Sequence, residues 1–161
     1  MAKFLLSLHL VVAVLAVGPV AVAVSMFPRK AKAALVAGPE QVTAQASVRL
    51  LHRISNIYAL IGIAVPLLGV GTAQAMHVLG NGWLIASIVL TAIAAGVLLL
   101  FVLPGQQATV DALDATENQE AETTRATGML KMLPMTAGLF NLLWVVVLVL
   151  MVIRPGSTNG A

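Results

Sequence analysis

Four long apolar stretches dominate the pattern of hydrophobic and polar positions along the chain. They run over residues 4–27, 54–76, 83–103 and 135–153, and none of them contains Asp, Glu, Lys or Arg. A helix needs about 20 predominantly apolar residues to cross the hydrocarbon core of a bilayer. The pattern therefore predicts an all-α fold, an integral membrane four-helix bundle.

Composition supports a chain that lies largely in lipid. Hydrophobic residues make up 60% of the 161 positions and charged residues only 9%, whereas a soluble domain carries about 25% charged residues. Cysteine is absent, which excludes disulfide bonds and thiolate metal sites. Aromatic residues make up only 4%, too few for the stacking platforms of a nucleic-acid-binding protein. We therefore expect a single membrane domain over residues 1–161, surrounded by lipid and without a nucleic-acid partner.

The basic residues of the polar connections predict the topology. Residues 28–53 and 104–134 form two long connections that together carry seven Lys and Arg residues, and the other side has only Lys3 and Arg154. An excess of Lys and Arg marks cytoplasmic loops. We expect both termini outside, two cytoplasmic loops, and a multi-pass location in the bacterial plasma membrane.

Both long connections have features of helices. Pro39 and Glu40 are typical of a first helical turn, so the second helix is predicted to begin near residue 39 and to project from the membrane. Residues 110–131 are polar, compatible with a helix, and carry five acidic residues. These acids can pair with the basic first connection or with a partner protein.

The short connection at residues 77–82 predicts a tight turn between the second and third helices. Gly80 and Gly82 are expected to supply the backbone freedom for this turn, and the two helices are expected to be antiparallel neighbours. Pro19 and Pro66 lie inside apolar stretches, where a proline removes a helical hydrogen bond and favours a kink.

Small residues recur at four-residue spacing, as in helices that pack closely within membranes. The third helix carries Ser87, Thr91 and Ala95 on one stripe. Two interpretations stay open for such a stripe: a docking face for another protein, or internal packing of the bundle.

Two histidines are candidate cofactor ligands. His9 lies in the first apolar stretch and His77 follows the second, so the topology places both on the same side of the membrane. Imidazoles on facing helices can ligate a haem iron or a copper ion. The alternative is that His9 bonds a neighbouring carbonyl group and His77 faces water.

Three methionines are candidate ligands for Cu(I). Met129, Met132 and Met135 are spaced three residues apart where the chain re-enters the membrane. Thioethers are soft ligands that suit Cu(I), but methionine also commonly fills irregular gaps in apolar cores. Neither the histidines nor the methionines define a site, so no catalytic, cofactor-binding or metal-binding residue is assigned from the sequence.

Four short motifs lie in the first two apolar stretches and just after the first: "LHL" at 8–10, Gly18, "PR" at 28–29 and "VPLLGVG" at 65–71. In these motifs the chain resembles a superfamily of bacterial four-helix membrane proteins that includes the copper-resistance D proteins and the haem-dependent protoporphyrinogen oxidase. The resemblance implies a four-helix membrane fold and haem or copper handling through His9. In that oxidase a lysine in a later span works with the histidine, and no later span of this chain contains a lysine.

The Ala- and Val-rich, cysteine-free composition also resembles that of small four-helix accessory subunits of the actinobacterial respiratory (cytochrome bcc–aa3) supercomplex. We therefore expect a non-catalytic integral membrane accessory subunit, not an enzyme, that needs no cofactor. Its expected partners are larger integral membrane subunits of a hetero-oligomeric complex. The alternative is a haem- or copper-handling membrane protein that uses His9.

Overall fold

The computed structural model describes residues 2–156, which fold as seven α-helices and contain no strand. The helices are α1 (Ala2–Leu35), α2 (Gln41–Gly62), α3 (Ala64–Ala75), α4 (Gly82–Val97), α5 (Leu103–Asp114), α6 (Gln119–Leu130) and α7 (Leu133–Ile153). The predicted all-α class is confirmed for this part of the chain.

Six of the seven helices form four apolar rods that are long enough to cross a membrane. The rods are α1, α2 with α3, α4 with α5, and α7, and their candidate spans contain 33, 35, 33 and 21 residues. At 1.5 Å per residue the first three are about 50 Å long, whereas the hydrocarbon core is about 30 Å thick. Each of these three rods therefore extends well beyond the thickness of the hydrocarbon.

The first connection is more helical than its polar composition indicates. α1 continues from the predicted end at residue 27 to Leu35, and α2 begins at Gln41, close to the predicted start at residue 39. Lys, Arg and Ala are all good helix formers, and Phe27, Ala31 and Ala34 follow one buried face of α1. Burial of this face allows the helix to continue among basic residues.

Prolines account for two of the irregularities in the rods. Pro66 has no N–H group to donate to the carbonyl of Gly62, and the second rod is interrupted at Ile63 between α2 and α3. A π-helical segment, Leu98–Val102, joins α4 to α5 and lies just before Pro104. At the end of this segment, the N–H group of Leu103 donates to the carbonyl of Leu98. Pro19 does not interrupt α1.

The second connection also folds back onto the helical rods. The third rod continues past the predicted end at residue 103 to Asp114, and α6 occupies Gln119–Leu130. Ala108, Ala112 and Ala126 are buried. The ends of α1 and α2, together with α5 and α6, therefore form a small helical layer outside the apolar spans.

Two large core clusters hold the molecule together. One joins Phe27, Ala31 and Ala34 of α1 to Ala44 and Val48 of α2, and it extends to Leu130 and Leu133. The other packs Val20 and Val24 of α1 against the third rod and α7 through Ala94, Val97, Leu98, Val102, Ala137 and Phe140. α1 contributes to both clusters, because its many alanines and valines allow other helices to approach closely.

The second and third rods are in contact near both of their ends. α2 packs against α5, whereas α3 packs mainly against α1 and α4 packs mainly against α7. Near the turn that joins them, Ala73 of α3 shares a small buried cluster with Trp83 and Leu84 of α4. A cleft lies between the pairs α1–α3 and α4–α7.

The turn between α3 and α4 differs from its prediction in backbone detail. His77 adopts the left-handed conformation with φ of 56°, and Gly80 and Gly82 do not. The prediction that the two glycines supply the permissive backbone is therefore wrong. A histidine tolerates this conformation better than a β-branched residue does, and the carbonyl groups of Gln74 and Ala73 accept bonds from the N–H groups of His77 and Val78.

We predict that Phe27→Ala destabilises the protein strongly. The Phe27 side chain is fully buried between α1 and α2, and loss of a buried phenylalanine costs about 3–5 kcal/mol. Phe101→Ala is the matched control because the Phe101 side chain is 52% exposed on the surface of the third rod. Thermal unfolding of the two variants in detergent checks the prediction, and equal melting temperatures would contradict it.

Candidate functional site

A cleft lined by α1, α3, α4 and α7 lies between the pairs α1–α3 and α4–α7. It has a volume of about 840 Å³, which is within the range of about 300–1,000 Å³ typical of small-molecule pockets. Its walls are mostly apolar. Among the described residues that line it, Arg154, at the end of α7, is the one Lys or Arg, and none is Asp or Glu.

His9 lines this cleft and is almost completely buried. Its side chain is only 5% exposed and lies over Gly69, where an added Cβ atom would be 3.1 Å from Cε1 of the imidazole. The absence of a side chain at Gly69 therefore makes room for the ring between α1 and α3. The Nδ1 atom of His9 has no hydrogen-bond partner among the described residues.

Two indole groups also line the cleft without hydrogen-bond partners. Trp83 begins the α4 wall and Trp144 lies deeper on the α7 wall, and the Nε1 atoms of both are buried and unpartnered in the described structure. The guanidinium carbon of Arg154 lies 5.7 Å from the centroid of the Trp83 ring, within the range of a cation–π interaction. The cleft thus combines apolar walls with three polar nitrogen atoms that the described protein leaves unpaired.

The small-residue stripe of α4 lies on the cleft wall. Ser87, Thr91 and Ala95 all line the cleft. The hydroxyl of Ser87 donates to the carbonyl of Trp83 at 2.8 Å, and that of Thr91 donates to the carbonyl of Ser87 at 2.7 Å. These hydroxyls are satisfied within their own helix, so the stripe offers the cleft a smooth, mostly apolar surface.

The two predicted histidine candidates have different surroundings. His77 is exposed in the turn between α3 and α4 and is not among the residues that line the cleft. The structure therefore does not bring His9 and His77 together in one pocket. Within residues 2–156, no three side chains of His, Asp or Glu are grouped closely enough to hold a metal ion.

The three methionine candidates lie around the junction of α6 and α7. Met129 is partly buried in α6, Met132 is the residue that immediately precedes α7, and Met135 is 66% exposed on α7. Their side chains are in different environments, and none of them lines the cleft.

A second polar cluster, which the sequence analysis did not identify, joins α2 to α5. His52 lies between Gln106, whose Oε1 atom is 3.3 Å from Nδ1, and Gln107, whose Oε1 atom is 2.8 Å from Nε2. The Nδ2 atom of Asn56 also lies 2.8 Å from Nε2 of His52. Gln106 is fully buried. The sequence contains a signal for this cluster. Gln106 and Gln107 come just after an apolar span, and His52 and Asn56 are four residues apart in another helix, so that they lie on one face of it.

This α2–α5 cluster is incompletely paired within the protein. Nε2 of Gln106 and Oγ of the fully buried Ser55 have no hydrogen-bond partner among the described residues. Buried polar atoms of this kind are commonly satisfied by ordered water. The cluster therefore acts as a polar clasp between the second and third rods, which are in direct contact at this end.

One ion pair joins the basic and acidic connections. Arg49 of α2 donates to the carboxylate of Asp114 at the end of α5. Arg125 and Glu122 also pair, at 3.6 Å, within α6. Both pairs are largely exposed, and exposed ion pairs contribute at most about 1 kcal/mol each. Asp114 and Glu122 thus pair within the chain. Pairing of the other acidic residues with a partner protein stays a prediction.

Comparisons with protein-family models, with curated proteins and with solved structures found no match to the chain.

We predict that His52→Asn destabilises the protein and that His77→Asn does not. The shorter side chain at position 52 cannot reach both glutamines, and leaving a buried amide without its partner costs about 1–3 kcal/mol. At position 77 asparagine suits the left-handed backbone, and the side chain is exposed. Denaturation of the two variants in detergent measures the difference, and a loss at position 77 as large as that at position 52 would contradict the prediction.

Proposed function

We propose that this protein is a non-catalytic integral membrane accessory subunit that packs against larger membrane subunits of a hetero-oligomeric complex. The observation that supports this function is an exposed apolar stripe on α2 that continues beyond the membrane-spanning segment. The stripe consists of Val42, Ala46, Leu50, Ile57 and Ile61.

The stripe occupies the face of α2 that is opposite to its buried face. Its positions follow the helical repeat of 3.6 residues, whereas Ala44, Val48, Leu51 and Ser55 point into the protein. Val42 is 79% exposed and Leu50 is 58% exposed. α2 therefore has two apolar faces, of which only one is covered by the described part of the chain.

The length of the stripe favours a protein partner over lipid. Val42 lies 12 residues before Ile54, where the apolar span begins, which corresponds to about 18 Å along a helix. The headgroup layer on one side of a bilayer is only about 5–8 Å thick. Lipid chains can cover Ile57 and Ile61, but an apolar surface at Val42 and Ala46 requires a partner that extends beyond the hydrocarbon.

Charge around the stripe supports an oriented contact with that partner. Arg49 lies at one edge of the stripe and Arg53 lies within it, between Leu50 and Ile57, and both are exposed. In the proposed topology both connections face the cytoplasm, where basic residues concentrate. Charges at the rim of an interface affect orientation and association rate more than affinity, so the apolar stripe supplies most of the binding energy.

We propose that the partner complex belongs to a respiratory electron-transfer chain in the plasma membrane of an actinobacterium. This finer assignment rests on the resemblance of the composition to accessory subunits of the cytochrome bcc–aa3 supercomplex. Subunits of that supercomplex are therefore the first proteins to look for among those that co-purify with the chain.

Co-purification with a charged substitution in the stripe tests the proposal. Ala46→Glu places a charged carboxylate at the interface, and we expect recovery of the larger subunits with the tagged chain to fall about tenfold or more. Ala121→Glu is the matched control because Ala121 is also exposed and lies in α6, outside the apolar spans.

The experiment uses full-length tagged chains extracted from membranes with a mild detergent. Retention of the partners by Ala121→Glu and their loss from Ala46→Glu supports the proposal. Recovery of the unsubstituted chain as a monomer without membrane partners would refute it.

A further inference from the structure

We propose that the cleft between the pairs α1–α3 and α4–α7 binds a single anionic phospholipid. The lipid's phosphate lies at Arg154 and Trp83, its ester region lies near His9, and one acyl chain occupies the apolar interior. The proposal concerns a different surface from the α2 stripe, so the two can succeed or fail independently.

The charge of the cleft indicates an anionic headgroup. Among the described lining residues Arg154 is the one Lys or Arg, and none carries a carboxylate. The guanidinium group lies beside the Trp83 ring, and its Nε atom donates to the carbonyl of Met151 at 3.2 Å. These two contacts hold the cation at the mouth of the cleft, where a phosphate oxygen can accept from the guanidinium group of Arg154.

The shape and depth of the cleft fit an acyl chain. Its α4 wall runs from Trp83 to Ala95, a distance of about 18 Å at 1.5 Å per residue. This wall is apolar in character, because Leu84 and Ile88 line it and the hydroxyls of Ser87 and Thr91 are bonded within the helix.

His9 places a polar group on the wall of the cleft below its mouth. Gly69, over which the ring lies, is six residues before the end of α3, or about 9 Å below the mouth. The backbone of Val65 in α3 lies within hydrogen-bond reach of the imidazole, so the ring forms a polar edge at the depth where the ester region of a glycerophospholipid lies. Trp144 lies deeper, at the level of the acyl chain, and the proposed lipid does not pair its indole nitrogen.

Tryptophan fluorescence provides a direct measurement, because both tryptophans of the chain line the cleft. Full-length protein is reconstituted in phosphatidylcholine vesicles that contain a few mole per cent of phosphatidylglycerol with brominated acyl chains. Bromine quenches indole fluorescence on contact. We expect the quenching to exceed clearly that produced by the same fraction of brominated phosphatidylcholine.

Matched variants locate the binding site. Arg154→Gln is expected to reduce the preference for phosphatidylglycerol about fivefold, the factor associated with one basic residue at an anionic lipid surface. Lys3→Gln is the control, since Lys3 is exposed, lies on the same side of the proposed topology as Arg154 and does not line the cleft. Ala95→Leu narrows the interior and is expected to reduce quenching by both lipids, with helix content checked by circular dichroism.

Three outcomes would overturn the proposal. Equal quenching by the two brominated phospholipids would show that the cleft does not select an anionic lipid. An equal loss of preference in Arg154→Gln and Lys3→Gln would show a general surface-charge effect. Excess quenching by a brominated fatty acid but not by phosphatidylglycerol would assign the cleft to a free carboxylate ligand.

Discussion

The packing of α1 against the other helices is the interaction on which the rest of the structure depends. α1 contributes buried residues to both large core clusters and to a third, smaller one with Val65 of α3. Lipid supplies no hydrophobic drive for helices to associate with one another, so close van der Waals contact must do so. The buried alanines of α1, such as Ala16, Ala23 and Ala31, permit this contact. Because α3 packs along α1 and α4 packs along α7, the cleft arises between two well-packed pairs of helices.

Polar groups within the bundle fall into two classes with different physical consequences. Most Ser and Thr hydroxyls bond to carbonyls in the preceding helical turn, as Thr72 does to Leu68 at 2.7 Å, and they need no partner on a neighbouring helix. Nδ1 of His9, Nε1 of Trp83, Nε2 of Gln106 and Oγ of Ser55 lack partners among the described residues. These atoms lie in two places, the cleft and the α2–α5 clasp, which are at opposite ends of the second and third rods. At one end the rods are joined through polar side chains, and at the other the buried contact between them is apolar and adjoins the cleft.

The proposed roles use different surfaces of the same molecule. The α2 stripe faces outward, on the side opposite to the core, and its extension beyond the span favours a protein partner. The cleft is bounded by α1, α3, α4 and α7, and its size and the single cation among its described lining residues favour a lipid. An accessory subunit with both features would contact its complex through α2 while holding a lipid between its other helices.

The sequence by itself determined the four apolar rods. About 20 uncharged residues in a row favour a lipid environment, where a helix pairs all of its backbone N–H and C=O groups internally. The sequence also indicated the start of α2 near Pro39 and the interruption of the second rod at Pro66, since both follow from local steric rules. The continuation of α1 to Leu35 and the folding of α6 depended on burial against other helices, which no local pattern records. Only the tertiary structure decided that α3 packs mainly against α1 and α4 mainly against α7. It also decided that the His9 ring lies over Gly69 and apart from His77, and that the His52 ring lies within hydrogen-bond distance of two glutamines. These features depend on the directions in which helices pack, and packing direction is set by contacts between residues that are distant in the chain.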